Sequence, residues 1–146
     1  MNSCVFCDIL RGKLASSVVY RDDLCWAFMD IRPVNPGHVL VIPIRHAASL
    51  AELHPETGTH MFRIAQRIAQ ALRESSIRCE GVNLFLADGA AAGQEVFHVH
   101  LHVVPRFEGD GFGFRRSPGS GAIRPRDELD DLAGKVRRAL PGAQVL

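Results

Sequence analysis

The stretch His98-Val99-His100-Leu101-His102-Val103-Val104 decides how the rest of the chain is read. Polar and apolar residues alternate through it with period two, as in a strand that turns one face to a core and the other to a site or to solvent. A strand over about Val96 to Val104 therefore sets His98, His100 and His102 on one face and Val99, Leu101 and Val103 on the other. Same-face neighbours stand roughly 6.5–7 Å apart, close enough to share one phosphate-sized group. Imidazole acts as nucleophile, general acid or base, or metal ligand, because its pKa lies near neutrality. Three readings are open: a stabilising ladder of surface histidines, three ligands of one catalytic zinc, and a nucleophilic site centred on His100. Three successive same-face positions on one strand chelate a single ion poorly, which puts the nucleophile first.

Working outward, a loop rich in alanine and glycine (Asp88-Gly89-Ala90-Ala91-Ala92-Gly93) feeds this strand, and Gly81-Val82-Asn83-Leu84-Phe85-Leu86 before it has strand character. Met61, Ile64, Ala65, Ile68 and Leu72 recur at helical spacing and predict one long helix from Glu56 to about Glu74, with Ser49 and Glu52 as a possible capping box ahead of it. Val18-Val19-Tyr20-Arg21 and Cys25-Trp26-Ala27-Phe28-Met29 read as a hairpin about Asp22-Asp23. The loop Arg32-Pro33-Val34-Asn35-Pro36-Gly37 leads to His38-Val39-Leu40-Val41-Ile42, apolar enough for a buried strand that Pro43 ends. Residues 108–125 are dominated by Gly, Ser, Pro and Arg and read as a mobile loop or arm, whereas Asp127 to Leu140 regains helical spacing and Pro141-Gly142 stops it. The expected fold class is α+β: a mainly antiparallel sheet, one long central helix and a C-terminal helix.

With 146 residues, 47% of them hydrophobic, the chain supports one core, so a single domain over residues 1–146 is expected. The formal net charge of +1 provides no field for nucleic acid or for an anionic membrane. The N-terminus lacks a basic and then apolar leader, and no run reaches the roughly 18 apolar residues of a membrane span. The reading is a cytoplasmic protein with no membrane or nucleic-acid partner, whose Cys4, Cys7, Cys25 and Cys79 are thiols or metal ligands and not disulfides.

Gly93-Gln94-Glu95-Val96-Phe97-His98-Val99-His100-Leu101-His102-Val103-Val104 resembles the signature of the histidine triad (HIT) family of nucleotide-binding hydrolases and transferases. Cys4-Val5-Phe6-Cys7-Asp8-Ile9, Ala27-Phe28-Met29-Asp30-Ile31-Arg32-Pro33 and Pro36-Gly37-His38-Val39-Leu40-Val41-Ile42-Pro43 resemble its other blocks, in the same order. Only the region after Arg106 has no counterpart. The resemblance implies cleavage at the α-phosphorus of a nucleoside phosphoramidate or a dinucleoside polyphosphate. His100 would attack to give a nucleotidyl-histidine, its other nitrogen held by a backbone carbonyl, while His102 and His38 serve the phosphate. It further implies Asp30 as acceptor for the ribose hydroxyls, Gln94 toward the phosphate, and Phe6, Ile9, Phe28, Ile31 and Leu40 as an apolar slot for the base. Ordinary core is the alternative for those five, and a turn cap the alternative for Asp30. Two positions depart from the family pattern: Ala87 stands where Asn or Gln is usual, and Glu95 where some relatives carry Ser or Thr. A homodimer is implied as well.

Cys4-x-x-Cys7 is half of a tetrahedral thiolate site. Some bacterial relatives complete such a pair with a histidine at the His46 position and with the first triad histidine, which would make Cys4, Cys7, His46 and His98 the ligands of a structural zinc. The alternative is two small buried thiols. No organic cofactor is implied. Cys25 and Cys79 read as packing residues, and His54 and His60 as solvent-facing. Two rival functions remain: a nucleotide-binding regulatory protein without turnover, and a hydrolase using the triad as ligands of a catalytic zinc. Arg115, Arg116, Arg124 and Arg126 could reach outer phosphates, against the plainer reading of a solvated arm.

Overall fold

A computed structural model describes residues 4–113 and 117–142. The fold is α+β, and contacts gather the chain into two compact units, Met1–Phe112 and Gly113–Leu146. The first holds α1 (Val5–Leu10), β1 (Val18–Arg21), β2 (Cys25–Met29), β3 (Val39–Pro43), α2 (Pro55–Glu74), β4 (Gly81–Phe85), a short 3-10 turn (Ala90–Ala92) and β5 (Leu101–Arg106). The strands form one five-stranded sheet in the order β1-β2-β3-β5-β4, and every neighbouring pair is antiparallel.

The run Val39-Leu40-Val41-Ile42 is apolar at every position because the centre of the sheet is covered on both faces. Val39 and Val41 point to α2, where they meet Met61, Ile64, Ala65, Ile68 and Leu72. Leu40 and Ile42 point the other way, into a second cluster with Phe6 of α1 and Phe28 of β2. Alternation by two and recurrence at helical spacing thus interlock across one interface. β4 lies at a sheet edge and is half-buried along its length.

Several boundaries differ from those the sequence predicts. α1 carries no periodic signal in its six residues, and helices this short are held by packing rather than propensity. Ser49 and Glu52 form no capping box: they sit in a turn that precedes α2, where Glu52 accepts from the Ala48 amide, and His54 precedes Pro55 at the helix start. β5 begins at Leu101 and not near Val96. Residues 108–112, expected as the start of an arm, are tied down: the Glu108 amide donates to Glu80, and the Phe112 carbonyl accepts from Arg106.

The second unit holds α3 (Arg126–Ala139), with Asp127 and Glu128 in its first turn and Arg137 and Arg138 in its last, the charge order that suits a helix dipole. Arg126 begins this helix and Arg124 pairs with Glu128 at 3.8 Å. Arg115 and Arg116 lie outside the described residues.

Candidate active site

The late start of β5 reorganises the histidine stretch. The His98 amide donates to the Val96 carbonyl in a tight bend, and the Val99 amide then pairs with Ala47. His100 and His102 stay together, with ring centroids 4.8 Å apart. Phe6 packs edge-on against both His98 and His100, so these rings keep to the α1 side of the sheet, but His98 turns its Nδ1 to Cys4, Cys7 and His46, and three triad ligands converging on one catalytic zinc do not describe this arrangement. Val99, Leu101 and Val103 do enter the core as the alternation requires.

A neutral imidazole has one donor and one acceptor nitrogen, and fixed partners decide which is which. His100 Nδ1 lies 2.8 Å from the carbonyl oxygen of His98 and must donate to it, which leaves Nε2 with its lone pair free. Phe6 packs edge-on against this ring at 5.3 Å, and His100 is only 7% exposed. His98 Nε2 donates to the Pro43 carbonyl at 2.8 Å, so its Nδ1 is the free acceptor that faces the thiols. The Val34 amide donates to His38 Nδ1 at 3.1 Å, which puts the proton of His38 on Nε2. That Nε2 lies 2.9 Å from His102 Nδ1 and donates to it, so His102 carries its own proton on Nε2 as an outward donor.

The surroundings disfavour the charged forms of His102, His38 and His98. Burial, reinforced by His100 and His38, pushes His102 down to about 4. Burial likewise lowers His38, against the opposing pull of Asp30, and lowers His98. Phe85 lies flat on His102, centroids 4.1 Å apart and planes 12° from parallel, and screens one face of the ring. Nothing in the sequence around Phe85 signals that contact.

Asp30 takes the turn-cap role that is its alternative reading. Its Oδ1 accepts from the Arg32 amide at 2.8 Å and caps the turn, while Oδ2 lies 3.7 Å from His38 Nδ1. Asp30 also lines a cleft of about 350 Å3 with Ala15, Ser16, Ser17, Met29 and Ile31. Ile31 is 89% exposed there, whereas Phe6, Ile9, Phe28 and Leu40 belong to the cluster behind α1. The five residues of the expected base slot are therefore divided between a cleft wall and core. Gln94 is buried with its amide fully engaged: both hydrogens go to the Ala48 and Val96 carbonyls, and the oxygen accepts from Gly89. Its position braces the loop ahead of the histidines, because contact with a phosphate would require breaking those bonds. Glu95 is exposed.

Cys4, Cys7, His46 and His98 place one ligand atom each within 4.8 Å of one another. The separations are 3.4 Å for Cys4 Sγ to His98 Nδ1, 3.4 Å for Cys7 Sγ to His46 Nδ1, 3.7 Å for Cys7 Sγ to His98 Nδ1, and 3.3 Å between the two Nδ1 atoms. A tetrahedral ion with sulfur near 2.3 Å and nitrogen near 2.05 Å has S···N edges of about 3.5 Å and an N···N edge of about 3.4 Å. The four residues fit such an ion closely, and the Pro43 carbonyl supplies the outer hydrogen bond that orients a ligating histidine. Burial and the neighbouring Cys4 raise the Cys7 thiol, the reverse of what a bound cation does.

His60 is not solvent-facing: its Nε2 donates to Asp22 at 2.6 Å, beside the Tyr20 hydroxyl and the Leu24 and Cys25 amides on the same carboxylate. Burial alone would raise Asp22, but those bonds together hold it well below the usual carboxylate range. Cys25, fully buried beside it, is pushed up to about 12 and packs as the sequence suggests.

A HIT domain model matches residues 11–109. A HIT-like protein of Borreliella burgdorferi is 46% identical over 117 residues, covering 80% of this chain and 84% of that one. The chain belongs to the HIT family. A crystal structure of a zinc-bound HIT protein from Mycobacterium smegmatis matches with a TM-score of 0.74 and 42% identity, over 94% of this chain and 98% of that one. An adenylylsulfatase of Arabidopsis thaliana is 35% identical over 139 residues, 95% of this HIT chain and 70% of the plant protein. The matched region spans the whole sheet and all five site histidines, but it ends before α3.

Proposed function

We propose that this HIT protein is a nucleotidyl hydrolase or transferase that cleaves at the α-phosphorus of a nucleoside phosphoramidate or dinucleoside polyphosphate. The observation that carries it is the tautomer of His100: with Nδ1–H held by the His98 carbonyl, Nε2 presents a lone pair. In the first step Nε2 forms an N–P bond as the bond from phosphorus to the leaving group breaks, and the leaving group departs with the electron pair and takes a proton. Nδ1–H stays on the carbonyl, which stabilises the positive charge that develops on the ring. In the second step water or another acceptor attacks phosphorus, loses its proton and displaces His100. His102 Nε2–H, itself held by His38, donates to a non-bridging oxygen where negative charge grows.

Asp30 Oδ2 accepts from the ribose at the mouth of the cleft, with Ile31 and Met29 as apolar walls for the base. Cys4, Cys7, His46 and His98 would hold a structural zinc that ties α1 to the histidine stretch, as the zinc-bound relative supports. The free cysteines accord with a cytoplasmic setting. No helix among the described residues is long and apolar enough to cross a membrane. A homodimer joined through the β4 edge would cover its unpaired backbone groups.

The test is AMP release from Ap4A and from an adenosine phosphoramidate. Turnover of either supports the reading. If the protein binds nucleotide with no release, the regulatory reading replaces it.

A further inference from the structure

We infer that Asn35 and Asp110 are positioning residues for this reaction, holding the loop of Asp30 and His38 in register with β5 so that His38 meets His102. The inference rests on the proposed nucleotidyl chemistry for its effect on rate, and on geometry alone for its effect on His38.

The β2–β3 loop is organised around two residues. Inside it, the Arg32 amide donates to Asp30, the Asp30 amide to the His38 carbonyl, the Val34 amide to His38 Nδ1, and the His38 amide to the Asn35 carbonyl. These bonds fix the loop's shape, and the β3–β5 ladder, with Val39 opposite Val103 and Leu40 opposite His102, sets the loop's end against the strand that carries His102. The rest of the loop is tied to that strand by the Asn35 side chain, 6% exposed, whose amide donates to the Pro105 carbonyl at 2.9 Å and to Asp110 Oδ2 at 2.8 Å. Pro105 lies on β5, three residues beyond His102.

Asp110 is itself held from several sides. Arg106 grips it with two bonds, Nε to Oδ2 at 2.6 Å and Nη2 to Oδ1 at 2.7 Å, and the Phe107 and Phe112 amides add to it. The bond from Arg106, with support from Phe112 and Asn35, holds the carboxyl well below the usual carboxylate range, so it remains a charged acceptor. Arg106 also donates to Asn83 on β4. One rigid carboxylate thus ties two strands and the segment after β5 to the amide that seats the His38 loop. Paired, buried charge with a bidentate guanidinium suits fixed geometry better than net stability. Misplacing a donor by about 1 Å at a reacting phosphate costs on the order of 100-fold in rate.

The experiment compares wild type with Asn35→Ala and Asn35→Asp by imidazole 15N spectra, thermal melting and steady-state kinetics. Aspartate has the shape of asparagine but sets a carboxylate against two acceptors. Wild type is expected to show single tautomers for His38 and His102. Folded variants are expected to show averaged His38 nitrogens with His98 and His100 unchanged, kcat lower by roughly 10–100-fold, and KM changed far less. Adding Asp110→Ala to Asn35→Ala is expected to cost less in kcat than the two single changes summed, because the two residues share one contact. An unchanged His38 spectrum and kcat in a folded variant would overturn the inference. So would loss of folding in every variant, since the network would then be a folding requirement. The two readings fail separately: a wild type with no turnover whose His38 signature still depends on Asn35 contradicts the reaction and keeps the positioning role.

Discussion

At the scale of the residue, backbone groups decide what each imidazole can do. The carbonyls of His98 and Pro43 and the amide of Val34 assign the proton on His100, His98 and His38, and His102 follows from His38. Because burial holds His102 down to about 4, it stays neutral in the fold over a range where the unfolded chain, near 6.5, takes up protons. Stability from this group is full above about 6.5 and is lost as pH falls toward 4, where the native ring protonates. His38 contributes in the same sense. Melting at pH 7.5 and pH 5 should show the fall, and His102→Gln should flatten the slope relative to wild type. A slope unchanged in that variant would remove His102 as its source. His98, His100 and His102 were legible as chemistry from spacing alone, but the division of labour was not. It depends on a bend at His98 that alternation over Val96 to Val104 hides, and on carbonyls that no side-chain pattern reports.

At the scale of the element, α1 and α2 cover opposite faces of one sheet, and each depends on different physics. α2 presents Met61, Ile64, Ala65, Ile68, Ala69 and Leu72 to the sheet, a stripe that its sequence announced. Ile64→Ala should cost about 2–5 kcal/mol, read from denaturant unfolding. A cost under about 1 kcal/mol would mean that the interface is looser than it appears. α1 has six residues and one buried side chain, Phe6, too little to hold it alone. On the proposed reading, a zinc held by Cys4, Cys7, His46 and His98 would fasten it. Cys7→Ser should abolish zinc binding and lower the melting temperature by roughly 5–10 °C, with turnover retained below the new transition. Reversible loss of turnover on chelation at unchanged stability would instead point to a catalytic metal. The apolar slot was only half legible because Phe6, Phe28 and Leu40 have the composition of either a pocket or a core, and only packing sends them to the core while Ile31 stays on the cleft.

At the scale of the whole molecule, the five-stranded sheet leaves two edges, β1 and β4. β4 is half-buried at every position and pairs with β5, the strand that carries His102. Sedimentation should give twice the chain mass, and a proline at Leu84 should shift the population toward monomer. A wild-type monomer at micromolar concentration would contradict the dimer. The α+β class and the β1–β2 hairpin were readable because alternating and helical periods survive along most of the first unit. Residues 108–112 read as the start of an arm because Gly, Ser, Pro and Arg dominate the stretch 108–125, while the Arg106–Asp110 pair that pins them is visible only in three dimensions.

Attack of His100 on phosphorus is tested by AMP release from Ap4A and an adenosine phosphoramidate, wild type against His100→Ala. Wild type is expected to turn over at least one substrate, and the variant to lose roughly 1,000-fold or more with its melting transition retained. Comparable turnover by the two proteins would contradict it.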